Sequence, residues 1–156
     1  MFKFKKMIFQ SIDYVSKYNL NSEIEYLLKL ENISSNDIKS LQLIKLKKLL
    51  IHSSKTVPYY KELFEKIKLD LNKIDSISVL QSLPILSKTK IKNDPSKFYS
   101  NLYLKKQLSF GQTGGSTGIP MIYALDPICR IKVRAAFYRA LTWSGWQPGD
   151  LVICFW

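Results

Sequence analysis

Residues 109–126 read SFGQTGGSTGIPMIYALD, and this stretch holds the residue types best suited to chemistry. Glycines stand at 111, 114, 115 and 118, interleaved with the hydroxyls of Thr113, Ser116 and Thr117. Glycine lets a chain turn through positive φ and lets the backbone approach a ligand closely. Successive backbone N–H groups in such a loop form a nest for anions. The threonine and serine hydroxyls add side-chain donors, Pro120 stiffens the exit, and no acidic residue opposes a phosphate. The chemistry implied is the holding of phosphate.

Two familiar phosphate cradles do not fit. The P-loop needs G-x-x-x-x-G-K-[ST] between a strand and a helix, and no lysine follows Gly118. The dinucleotide fingerprint G-x-G-x-x-G needs a helix after the glycines. Here an apolar run, MIYALD, follows and reads as a strand. The other reading of the stretch is a flexible hairpin tip. A simple hairpin needs only two to five loop residues, and this loop is longer. Long loops are more often functional.

The loop must be positioned by what flanks it. LYLKKQLSF before it and MIYALD after it both read as strands, so the loop joins two strands. DPICRIKVRAAFYRALTWSG reads as a helix, with Asp126 as cap, Pro127 at the first position and Gly145 as stop. Ile128, Ile131, Ala135 and Leu141, with Phe137 or Tyr138, give its buried side. Arg130, Arg134 and Tyr138 share one face. WQPGD is a turn, and LVICFW is an apolar run of β-formers, as in a strand covered on both faces. Strand, helix and strand suggest a crossover unit of an α/β sheet.

The first hundred residues read as short helices. Ser22 with Glu25 forms a capping-box pattern, and Ile24, Leu27 and Leu28 form the stripe that follows. Ile38, Leu41, Ile44 and Leu49 stand near helical spacing in the next helix. Pro58 suits a first helical turn, with Tyr59, Leu63, Phe64 and Ile67 facing a core. Pro84 breaks the chain, and Ser87 caps another short helix. The lone His52, at a helix end, is a capping or surface residue.

Composition bounds the remaining possibilities. The chain has 156 residues, enough for one domain, with 46% hydrophobic and 23% charged residues. Its net charge is +12, and 21 of its 24 basic residues are lysine. Such an excess suits an anionic partner, or lysines spread over solvated helix faces. Cys129 and Cys154 have no metal-ligand spacing and read as buried free thiols, in keeping with a reducing cytosol. No apolar run approaches the ~18 residues of a membrane span, so a cytoplasmic protein is expected. There are no paired carboxylates, no His/Asp/Ser set and no internal repeat.

The motif TGGSTGIP resembles the phosphate loop of the adenylate-forming enzymes. VPYYKELF, SLPILSKTKIKND, the loop, and YRALTWSGWQPGDLV follow in the order found in one branch, the phenylacetate–CoA ligase-like proteins. That branch includes proteins of capsular polysaccharide biosynthesis. The resemblance spans roughly residues 38–156. It implies an enzyme that activates a carboxylic acid with ATP, giving an acyl-adenylate and pyrophosphate. A thiol such as coenzyme A, or another acceptor, then takes the acyl group. Thr113, Gly114, Gly115, Ser116, Thr117 and Gly118 would cradle the ATP phosphates, with Mg²⁺ sharing the charge and Pro120 structural. Met121 stands where the wider superfamily often has lysine.

The resemblance also implies an α/β fold: a helical lead-in over 1–100, then the start of a nucleotide-binding subdomain over 101–156. That second part comprises a hairpin with its phosphate loop at 109–121, a helix at 127–144 and a strand at 151–156. Together they would make a partial single domain. In the family the acyl pocket, the nucleotide-base contacts and a catalytic lysine lie further downstream than residue 156. This stretch is therefore expected to be catalytically inactive alone, or to work with a complementary C-terminal fragment. The rival readings are a basic module for nucleic acid or an anionic surface, and a non-catalytic remnant.

Overall fold

The computed structural model describes residues 19–114 and 120–153. The chain is mixed α/β and mostly helical, with one two-stranded antiparallel sheet among the described residues. Its contacts fall into two units, one within residues 34–125 and one joining residues 19–33 with residues 126–153.

In the second of these units, α1 (Leu20–Lys29) begins at Asn19, whose side-chain oxygen accepts from the Ser22 amide at 3.0 Å. The helix thus starts before the Ser22–Glu25 pattern, because Asn19 is itself a strong cap. Leu20 and Ile24 are buried, with Leu27 and Leu28 beside them, so the expected stripe is extended by one turn. It packs on the helix Pro127–Thr142, where Ala135 is 0% exposed and Ile131 and Tyr138 flank it. A small residue at the centre of a helix pair lets the backbones approach. Ile128, expected inside, is exposed, and of the alternatives Phe137 and Tyr138 it is Tyr138 that packs against the core while Phe137 is exposed.

That Pro127–Thr142 helix starts as its sequence requires. Asp126 accepts from the Cys129 amide at 2.8 Å, and Pro127 takes the first position. It ends before the expected residue 144. Gly145 at φ +86° donates to the Thr142 carbonyl, and Trp146 donates to that of Leu141. Those two bonds make a Schellman closure. Trp146 then stacks on Tyr138 with ring centroids 4.9 Å apart. Gln147 to Asp150 turn back through Pro148 and Gly149, the latter at φ +99°.

The strand expected at 151–156 is not formed in its described part. Residues 151–153 have no ladder partner, and Leu151 and Ile153 are 91% and 80% exposed. Apolar β-formers make a strand only when a neighbouring strand meets their backbone groups. The crossover unit is accordingly not seen among the described residues, and residues 154–156, including Cys154, lie outside them.

The unit of residues 34–125 is built on two consecutive helices, α2 (Ser35–Thr56) and α3 (Pro58–Lys66). Ser34 caps α2, accepting from the Asp37 amide at 3.1 Å and donating to its carboxylate at 2.6 Å. Pro58 forces the preceding Val57 into extended backbone and opens α3. Leu50, Phe64 and Ile74 form the core, with Leu43, Leu46 and Leu63 packed against them. The buried face of α2 is therefore Leu43, Leu46, Leu50 and Ser53. Ile38, Ile44 and Leu49, expected inside, are exposed, as is Ile67 of α3.

Beyond α3 come a 3-10 turn (Ile77–Ser82), an extended stretch at Pro84, and α4 (Lys88–Asn93), capped by Ser87 as expected. The amide of Asn101 donates to the Thr56 carbonyl at 2.7 Å, tying this segment to the end of α2. Residues 102–108, expected as strand, instead hold a 3-10 turn at Lys105–Gln107. The Gln107 side chain accepts from the Leu104 amide at 2.8 Å and so closes that turn. The strands are short: β1 (Ser109–Gln112) and β2 (Ile122–Leu125). Naming the Pro127–Thr142 helix α5 completes the set.

The ends of α3 and α5 make a natural comparison. Lys68 and Leu69 donate to the carbonyls of Glu65 and Phe64, the same Schellman closure, but Lys68 occupies the glycine position at φ +53°. A side chain there costs on the order of 1 kcal/mol. Lys68→Gly is expected to raise stability by about 0.5–1 kcal/mol, and Gly145→Ala to lower it by about 1 kcal/mol. Urea unfolding followed by far-ultraviolet circular dichroism measures both.

Candidate functional site

The candidate site is the β1–β2 hairpin and the loop it carries. The register pairs Ser109 with Leu125, Phe110 with Ala124, Gly111 with Tyr123 and Gln112 with Ile122. This is the antiparallel pair expected on either side of the glycine stretch. One rung beyond the ladder, Thr113 donates its amide to the Met121 carbonyl at 3.0 Å. The Met121 amide donates to the Thr113 hydroxyl, also at 3.0 Å. Thr113 thus holds Met121 through both backbone and side chain. A hydroxyl has two lone pairs and one proton, and the Met121 bond occupies one lone pair.

Of the six residues expected to cradle phosphate, Thr113 and Gly114 are described. Gly115, Ser116, Thr117 and Gly118 lie outside the described residues. Gly114 is exposed, and a Cβ built on it would meet none of the described residues within 4 Å. Its φ is not in the left-handed region, so its backbone is unstrained. Pro120 is exposed at the loop exit. The Thr113 hydroxyl pins the base of the loop through the Met121 amide.

Gly111 is set by packing. A Cβ there would lie 2.6 Å from the Tyr123 ring, which covers the glycine from the opposite strand. Phe110, on the other face, meets Tyr99 edge-on with centroids 6.0 Å apart. The Lys105 ammonium lies 6.0 Å from the Phe110 ring centroid, at the outer limit of a cation–π contact. These aromatic contacts hold the stem of the hairpin against the segment that enters it.

Elsewhere the described residues offer no nucleophile poised to react. The Cys129 thiol, half-buried in α5, is pushed up by burial and by the Asp126 carboxylate, with Lys132 opposing. It is a thiol, not a thiolate, at neutral pH. Burial, then the neighbouring Tyr59, raises the Tyr60 phenol. His52 is exposed and bonds only locally, 3.2 Å from the Thr56 hydroxyl. No group of three or more His, Cys, Asp or Glu among the described residues could hold a metal ion. No described helix is long and apolar enough to cross a membrane. Sequence reading missed a second concave feature, between α3 and the 84–98 segment. Its residues are scattered from Tyr59 to Phe98 and share no spacing pattern.

Compared with known proteins, the chain matches no family model and no curated sequence.

Two substitutions test this geometry. Gly111→Ala drives the Tyr123 ring away and is expected to cost about 1 kcal/mol. That cost shrinks in a Tyr123→Ala background, which a double-mutant cycle of unfolding free energies measures. Thr113→Val removes the acceptor for the Met121 amide and is expected to cost about 1 kcal/mol. Faster amide exchange at Met121 is the local readout.

Proposed function

We propose that residues 109–125 are the phosphate-holding hairpin of an ATP-dependent, carboxylate-activating ligase of the adenylate-forming type, of which this chain supplies the N-terminal part. One observation carries the reading. A loop rich in glycine and hydroxyls is pinned at its base by the two Thr113–Met121 bonds, with Gly114 exposed immediately beyond them. The Thr113 amide is taken up by Met121, but its hydroxyl keeps a proton to donate. With the N–H groups of the glycines beyond it, a donor held in place this way stabilises phosphate with little reorganisation. The ordered resemblance of the flanking segments supports the same assignment.

In this reading the substrate carboxylate attacks the α-phosphorus of ATP, an acyl-adenylate forms, and pyrophosphate leaves. The acceptor would be a thiol such as coenzyme A, and surface polysaccharide biosynthesis the setting, as in the branch it resembles. Thr113, Gly114, Gly115, Ser116, Thr117 and Gly118 hold and orient the phosphate oxygens. The loop has donors and no carboxylate, so its residues fit the anion rather than a bare cation. Mg²⁺ would arrive with the nucleotide and neutralise charge on its phosphates.

Titration calorimetry with Mg-ATP and with pyrophosphate tests the assignment. Both are expected to bind the full chain. Gly114→Val places a side chain where the phosphate must approach, and should weaken both by at least roughly tenfold. Because Gly114 is exposed and its backbone unstrained, its unfolding free energy should stay within about 0.5 kcal/mol of the parent. Absence of binding by the parent chain, or undiminished binding by Gly114→Val, would reject the proposal.

A further inference from the structure

A trough of about 660 Å³ lies in the unit of residues 34–125, away from any residue of the hairpin loop in its lining. Tyr59, Leu63, Ile67, Pro84 and Phe98 supply its apolar surface. Lys66, Lys90 and Lys97 stand among its lining residues and are exposed. Its volume is in the range of roughly 300–1,000 Å³ usual for ligand sites. Most of its lining residues are exposed, however, so it is an open trough and not an enclosed pocket. Beside it, Ile85 is 98% exposed, directly after Pro84 of the lining.

We propose that this trough docks a short acidic segment of a partner protein, anchored by bulky aliphatic side chains. Charge complementarity supplies the first argument. The unit of residues 34–125 contains fifteen lysines, no arginine and six carboxylates. Two of those carboxylates line the trough beside three lysines, so the lining keeps a net positive charge. Glu62 is paired with the Lys97 ammonium at 3.3 Å, and Asp94 accepts from the Ser96 hydroxyl at 2.6 Å. Lys66 and Lys90 are then the cations of the lining that face no carboxylate contact given by this geometry. A basic rim over an apolar floor is the complement of an acidic segment with an apolar anchor.

The chemistry of the floor excludes the other anionic partners. Nucleic acid would be held by exposed aromatic faces on which bases stack. Tyr59 is only 8% exposed, and its ring is covered by the Lys90 ammonium, 4.8 Å from the centroid, and by Phe98 at 4.5 Å. Of the apolar lining, Ile67 and Pro84 are exposed and Leu63 and Phe98 half-buried, with the Phe98 ring tilted on Tyr59. A bilayer surface meets protruding side chains, whereas Leu63, Ile67, Pro84 and Phe98 line a concavity. This inference is independent of the proposed phosphate loop, and either can fail alone.

Fluorescence anisotropy on the full chain tests it. The probe is a short fluorescein-labelled peptide with a central Leu-Leu pair flanked by glutamates. It is expected to bind, with affinity falling as salt rises. Replacing its leucines by alanine, or its glutamates by lysine, should weaken binding by at least about tenfold. In the protein, Lys66→Glu with Lys90→Glu should weaken it by a similar factor of about ten, and Ile67→Asp should do so without altering two of those lysines. Lys73→Glu, whose side chain pairs with Asp70 outside the trough, serves as the control and should change little. Circular dichroism establishes that each variant is folded. Equal binding of the lysine-containing peptide, or unchanged binding by both trough variants, would overturn the proposal. So would phosphatidylserine vesicles or oligo-dT binding through Lys66 and Lys90 while the acidic peptide does not bind.

Discussion

The larger unit depends on what becomes of one backbone carbonyl. Pro58 ends α2 by forcing Val57 into extended backbone, and a new helix starts at once. The Thr56 carbonyl, at the last residue of α2, is then met from 45 residues away, by the Asn101 amide at 2.7 Å. A helix C-terminus leaves carbonyls that must find partners. Here one of those partners is the segment that leads into β1. Through that bond the corner between α2 and α3 fixes where the chain begins its approach to the hairpin. The Tyr99–Phe110 edge contact then carries the constraint into the first strand.

The hairpin itself separates support from exposure. Its stem is held by a short ladder, by the Tyr123 ring over Gly111 and by the doubled bond of Thr113 to Met121. Gly114, immediately beyond, meets none of the described residues through the position a side chain would occupy. A rigid base lowers the ordering cost of whatever it carries. Thr113 supplies that base, since its amide and its hydroxyl both hold Met121.

Much of the fold was legible where a single residue dictates local geometry. Asp126 with Pro127, Pro58, Ser87 and Gly145 each mark a helix end for reasons internal to a few residues, and each stands at or beside the end it marks. Faces were less legible. Between Leu41 and Ile51, α2 carries apolar residues on nearly all sides, so spacing alone allowed Ile38, Ile44 and Leu49 to be placed inside. The packing of Phe64 and Ile74 selected Leu43, Leu46 and Leu50 instead. Strand formation at 151–153 was not legible either, because it depends on a neighbour and not on β-propensity. At the candidate site, residue type pointed to Thr113 as a donor. Its clamp on Met121 depends on strand register, which no residue type encodes. The trough between α3 and the 84–98 segment was invisible for the same reason: only tertiary packing assembles it.

The Tyr123 ring over Gly111 has an evolutionary consequence. The two positions face each other in the ladder, and the space that one leaves is the space that the other fills. Any lineage carrying this hairpin can enlarge residue 111 only after residue 123 has shrunk or turned away. The pair should therefore drift together, as a coupled substitution, even though neither residue is required to touch a ligand. Two positions twelve residues apart would then record the shape of the stem in their joint history.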